Sequence, residues 1–162
     1  MADEERHKEL VRKWFEEGVS SNDPETARRV ADEVFAEDFQ DGDSPGAAQN
    51  RDQFKRMITD RMFPVFKDVE AKVEHILAEG DWAAAYVRIE MTHVGEFYGV
   101  PGTGKRIVFH EASLSYMEGD RIEFVRGKSD WLGVLQQLGI APTRPDREAR
   151  LMLGDQTAQP GA

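Results

Sequence analysis

The chain has 162 residues, with 31 acidic against 21 basic side chains and a formal net charge of −10. That length fits one domain, and the charge has the wrong sign for gripping a phosphate backbone, which argues against a nucleic-acid binder. No cysteine is present, so disulfides, thiolate nucleophiles and cysteine-held metals are excluded. No apolar run approaches the roughly 20 residues of a membrane span. The N-terminal stretch lacks the apolar core of a secretory signal, so no membrane association and a cytoplasmic location are expected. Forty per cent apolar residues suffice for a folded core.

Leu10, Val11, Trp14, Phe15 and Val19 recur at helical spacing and predict a first helix over about Asp3 to Val19. Asp23-Pro24 supplies an N-cap and a first-turn proline for a second helix, whose stripe is Ala27, Val30, Ala31, Val34 and Phe35. Asp38 to Gln49 is rich in Asp, Gly, Ser and Pro and reads as a loop. Asn50 with Gln53 makes a capping-box start for a third helix carrying Phe54, Met57, Ile58 and Met62. Beyond Pro64 the period changes to alternation, with Val69, Ala71 and Val73 on one parity. Gly80-Asp81 turns this strand into Trp82 to Gly95, a third strand spans Lys105 to Met117, and Gly119-Asp120 turns it into Arg121 to Ser129. Asp130 to Leu138 returns to helical spacing and stops at Gly139. From residue 141 onward prolines and glycines interrupt any long pattern, and a poorly ordered tail over 141–162 follows a single domain over 1–140. Helices followed by a run of antiparallel strands indicate an α+β fold, with three N-terminal helices covering a curved sheet around a pocket.

Gly99-Val100-Pro101-Gly102-Thr103-Gly104-Lys105 has the spacing of a phosphate-binding loop, but Arg106 follows where Ser or Thr is needed, and a strand continues where a helix should start. A Pro/Gly turn explains it better. His7, His75, His93 and His110 lack the spacing that aims two imidazoles at one metal, so no metal is expected. His93 shares parity with Val87, Ile89 and Met91, which points it inward, where an imidazole needs a partner. On the third strand Glu111, Ser113 and Ser115 lie on one parity and His110, Ala112, Leu114 and Tyr116 on the other. Both faces carry polar groups, so alternation leaves open whether Glu111 is a buried base or a solvated acid. Asp130 precedes the last helix, either as its cap or as a carboxylate at the pocket rim. Trp14 and Phe15 are core residues by default, although a first helix roofing the cavity would bring either ring to a flat apolar ligand. No G-x-S-x-G elbow supports a serine nucleophile.

Taken together, Phe63-Pro64, Ala78-Glu79-Gly80-Asp81, Thr92-His93-Val94-Gly95-Glu96-Phe97, Gly99-Val100-Pro101, Thr103-Gly104-Lys105, and Asp130 with Gln137-Leu138-Gly139 form a familiar series. In this order the chain resembles the SnoaL-like polyketide cyclases, or ester cyclases, of the nuclear transport factor 2-like superfamily, over about Leu10 to Gly139. The resemblance implies an α+β cone: a strongly bent antiparallel sheet around a hydrophobic pocket, closed by the N-terminal helices, in a homodimer or larger homo-oligomer and without a cofactor. It further implies ring closure of an aromatic polyketide by intramolecular aldol condensation, in which a carboxylate removes a proton beside a carbonyl and neighbouring donors stabilise the enolate. Counting without gaps, the position of the family's last-strand aspartate holds Gly127, that of its third-strand histidine holds Ser113, and Arg126 stands where the wider family has tryptophan. Asp130 matches the aspartate at the head of the final helix.

The leading expectation is thus a cofactor-free cyclase or isomerase acting on a polyketide-like or other apolar carbonyl compound. Asp130, Glu111 and His93 are its catalytic candidates, and Trp14, Phe15, Tyr98, His110, Ser113 and Arg126 its substrate contacts. Two alternatives remain: a pocket protein that binds a small apolar metabolite unchanged, and an epoxide-opening enzyme in which Arg126, Glu111 and Asp130 surround one water.

Overall fold

The computed structural model describes residues 2–42 and 46–143. Helix α1 (Ala2–Arg12) runs into a π-helical segment, Lys13–Gly18, and a 3-10 turn, Val19–Ser21. Helix α2 (Pro24–Val34) starts where the sequence places it, since the Asp23 carboxylate accepts the Thr26 N–H at 2.8 Å. Helix α3 (Arg51–Arg56) is capped by Asn50, whose side chain accepts the Gln53 N–H at 2.9 Å, and it too passes into a π-helical segment, Met57–Met62.

The strands are β1 (Phe35–Asp41), β2 (Phe66–Glu79), β3 (Trp82–His93), β4 (Arg106–Glu118) and β5 (Arg121–Ser129), and α4 (Trp131–Leu138) closes the described chain. They form one curled sheet in the order β1-β5-β4-β3-β2. The four strands after residue 65 pair antiparallel in sequence order, as the alternation implies. Strand β1 departs from the expected loop: Phe35 leaves the second helix, and the segment pairs parallel with β5, with Gln40 opposite Phe124 and Asp41 opposite Val125. The sheet is therefore mixed. Phe35, Ala36 and Phe39 are buried without strict alternation, and the register slips between Phe35 and Gln40, so no period-2 signal marks the strand. Further slips at Lys67/Glu70, Val73/His75 and Tyr116/Met117 bend the sheet.

The helices lie on the concave face. Leu10, Val11, Trp14 and Phe15 join Val30, Ala31, Val34, Phe35, Phe39 and Phe54 in one core with the inward residues of β2, β3 and β4. Trp14 packs edge-on to Phe35 with ring centres 5.0 Å apart, and Phe35 lies 4.4 Å from Phe39. Edge strand β2 is covered by side chains rather than by another strand. Asn22 accepts the Val69 N–H at 2.6 Å and donates to the Val69 carbonyl at 3.0 Å, Ser20 Oγ accepts the Ala71 N–H at 2.8 Å, and Glu16 accepts the Val73 N–H at 3.2 Å. These bonds satisfy the open edge and fix the segment after α1, with its two aromatic rings, across the mouth of the sheet.

The glycine-rich stretch 99–104 is the connection between β3 and β4. A Cβ at Gly102 would lie 2.0 Å from the Val94 carbonyl oxygen, so only glycine permits this approach, and Lys105 Nζ donates to the Gln137 carbonyl at the end of α4. The expected tail lies outside the described residues from 144 onward. No helix among the described residues is long and apolar enough to cross a membrane.

Candidate active site

Between the curled sheet and the helices lies a cavity of about 760 Å³, within the range of small-molecule sites. Trp14, Phe15, Phe54, Phe66, Phe109 and Trp131 line it, with Met57, Met62 and Met91 filling between the rings. Both π-helical segments contribute, the first with Trp14 and Phe15 and the second with Met57, Ile58 and Met62. A π-turn shifts the side-chain register by a residue relative to an α-helix, and such turns recur at functional sites.

Glu111 is one of two acids in this cavity. On β4 the buried parity is Ile107, Phe109, Ser113, Ser115 and Met117, and Glu111 falls on it, which decides the question that alternation leaves open. Its side chain is half-buried in the cavity wall. Ser129, opposite it on β5, donates its hydroxyl to Glu111 Oε2 at 2.7 Å. Gly127 leaves room for the other oxygen, because a Cβ there would stand 3.3 Å from Glu111 Oε1. Burial pushes the Glu111 carboxyl above the usual glutamate range; the Ser129 hydrogen bond pulls it partly back, and the charge of Asp41 pushes it up again. Glu111 is thus a stronger base than an exposed glutamate, with one oxygen anchored and the other facing an aromatic chamber.

Trp14, Phe15 and Tyr98 line the cavity together with Glu111. Arg126 also borders it, and the remaining candidates go elsewhere. Asp130 does not line it: Oδ1 accepts the Gly133 N–H at 2.9 Å, so the carboxylate caps α4 and is exposed. His93 points inward but not into the cavity. It is fully buried beside Phe66, with Nδ1 accepting the Thr103 N–H at 3.3 Å and lying 3.1 Å from Thr103 Oγ1, so it roots the loop after β3. Accepting at Nδ1 places the ring proton on Nε2, which has no partner among the described residues. His110 is on the outer face, stacked on Tyr86 at 4.9 Å, with Nε2 3.5 Å from Glu74. Ser113 is buried opposite Gly127 and does not border the cavity. Arg126 follows the outer parity, opposite Leu114; it borders the cavity along its strand while its guanidinium lies 5.1 Å above the Phe124 ring. Arg126, Glu111 and Asp130 therefore do not surround one point, and the set needed to open an epoxide is not assembled.

Asp41, hidden in an Asp/Gly/Ser/Pro run, is a second acid in the cavity wall that the sequence reading missed. Burial raises its carboxyl as well. The only local signal is its place just after the apolar pair Phe35 and Phe39, which marks β1 in retrospect. Among the described residues no three His, Asp or Glu side chains converge as metal ligands.

Comparison with known proteins matches this geometry. The model of the SnoaL-like polyketide cyclase family fits residues 9–138. Nogalonic acid methyl ester cyclase of Streptomyces nogalater is 33% identical over 72 residues, which is 43% of this chain and 54% of that enzyme, so the chain spans about half the length of this curated relative. Among solved structures, a SnoaL-like protein of Jannaschia sp. CCS1 superposes with a TM-score of 0.76 at 25% identity, covering 86% of this chain and 95% of that one. IdmH of Streptomyces antibioticus gives 0.67 at 27% identity, covering 82% and 98%. With a family model spanning most of its length and the curled sheet and helical cover of these relatives, the chain belongs to the SnoaL-like polyketide cyclase family.

Proposed function

We propose that this protein closes a carbon ring in a polyketide-like carbonyl compound by general base catalysis, without a cofactor, with Glu111 as the base. The supporting observation is a single one: a glutamate held by Ser129 at 2.7 Å in a cavity whose walls are largely aromatic and methionine side chains. A hydrogen beside a ketone or ester carbonyl is weakly acidic, and an exposed carboxylate is a poor base for it. Withdrawal from water raises Glu111's basicity, while the rings hold a flat conjugated substrate so that its two reacting ends meet.

In the step, Glu111 Oε1 takes the carbon-bound proton, the enolate carbon attacks a second carbonyl carbon of the same molecule, and the new C–C bond leaves an alkoxide that must be protonated. Gly127 keeps Oε1 clear, and Ser129 occupies Oε2, so one oxygen reacts. The cyclase named above supplies the first substrate to try. Incubation with nogalonic acid methyl ester, followed by chromatography and mass spectrometry, is expected to yield a product of unchanged mass, and Glu111→Gln to lower its rate by at least about a hundredfold, the usual range for a general base. Conversion at full rate by Glu111→Gln would remove Glu111 from the mechanism.

A further inference from the structure

The proposed reaction makes an alkoxide, and the cavity holds a second acid that the mechanism has not used. Asp41 ends β1, and β5 links it to Glu111: β1 lies parallel on one side of β5 with Asp41 opposite Val125, and β4 lies antiparallel on the other with Glu111 opposite Ser129. Its backbone is fixed, because the Asp41 N–H donates to the Ala48 carbonyl at 2.9 Å and the Gly42 N–H to the Val125 carbonyl at 2.6 Å. Its side chain is half-buried against the same cavity, and among the described residues its carboxylate has no hydrogen-bond or ion-pair partner. A carboxylate withdrawn from water without a donor is costly to keep charged, and two such acids facing one chamber hold a single proton more readily than none.

Building on the cyclase reading, we propose that Asp41 is a second catalytic acid of this cavity, delivering a proton to the alkoxide oxygen formed when the enolate attacks. The step starts from the form of the site in which Glu111 is ionised and Asp41 carries the proton. Glu111 gains the carbon-bound proton, the electron pair of that C–H bond becomes the new C–C bond, and the π pair of the attacked carbonyl moves onto its oxygen. That oxygen then takes the Asp41 proton. Substrate and product are isomers, nothing is oxidised or reduced, and the pair ends with the same single proton on the other member. Transfer of that proton back from Glu111 to Asp41 through water resets the site. The charge on Asp41 raises the Glu111 carboxyl, while Arg126 and Lys128 of β5 bring positive charge to the same cavity wall.

The test needs no substrate for its first arm. Carboxyl carbon-13 NMR of the full chain, with Glu111 assigned by Glu111→Gln, follows Glu111 through its titration in the wild type and in Asp41→Asn, which is near-isosteric and breaks no side-chain bond. The expected result is a lower Glu111 midpoint in Asp41→Asn. The second arm is turnover of nogalonic acid methyl ester: Asp41→Asn loses at least about tenfold in kcat with little change in KM, and Asp41→Glu recovers part of it. Asp41→Ala, checked for folding by circular dichroism, gives the same loss. An unmoved Glu111 midpoint, or full kcat in Asp41→Asn, overturns the proposal and leaves the cyclase reading standing. A coupled titration with an inactive wild type sinks the cyclase reading instead, and the catalytic role of Asp41 with it.

Discussion

Glu111→Gln should make this protein more stable at neutral pH, while abolishing what it does. In the folded state burial raises the Glu111 carboxyl above its unfolded value, so the folded protein binds this proton more tightly than the unfolded chain. Its contribution to stability is thus fully present below the ordinary glutamate range near pH 4 and is lost as pH rises through the folded value. Glutamine keeps the shape and still accepts from Ser129, without a charge to desolvate. Each tenfold weakening of the acid by the fold corresponds to about 1.4 kcal/mol, and 1 kcal/mol moves Tm by about 2–4 °C in a chain of this size, which makes about 3–6 °C per tenfold. Thermal unfolding followed by circular dichroism from about pH 4 to 8 should show the two proteins converging at the acid end and Glu111→Gln melting higher at the neutral end. Equal melting across the range, or a gap that opens at low pH instead, would refute the placement of a strained carboxylate in the cavity.

Other perturbations separate the site from the scaffold. Gly127→Ala places a methyl 3.3 Å from Glu111 Oε1, so kcat is expected to fall about tenfold or more with a near-normal melt; a Tm loss without a kcat loss would contradict the clearance argument. Asp130→Ala removes a cap and should cost about 1 kcal/mol in urea unfolding while leaving turnover intact. Asn22→Ala strips two hydrogen bonds from the edge of β2 and should cost about 1–3 kcal/mol, with faster amide exchange at Val69. Gly102→Ala cannot be accommodated beside the Val94 carbonyl and is expected to disorder the loop after β3, read as lost protection at Gly104.

Much of the scaffold was legible because it is local. The Asp23-Pro24 cap, the Asn50 cap, the Gly80 and Gly119 turns and the alternation along β2 to β4 are set by residues within a few positions of one another, and the structure has all of them. Strand β1 was not legible, because its partner β5 lies some eighty residues on and its burial is irregular. Asp41 was lost with it. Alternation pointed His93 inward and left Glu111 open, and inward is not the same as cavity-facing: His93 is turned under the loop by Thr103, whereas Glu111 lies beside Gly127 in the cavity wall. His110 lies on the outer face, whereas Arg126, although on the outer parity, still borders the cavity at its edge, where its position in the last strand suggested a cation. Asp130 caps its helix, which needs no chemistry to explain it.

In the proposed reaction, Glu111 removes a carbon-bound proton from a guest in the aromatic cavity. The most direct test is proton NMR in deuterium oxide, watching the exchangeable carbon-bound hydrogens of nogalonic acid methyl ester in the presence of the protein. Wild-type protein is expected to accelerate that exchange and Glu111→Gln to leave it at the rate of buffer alone; equal acceleration by both would contradict the account.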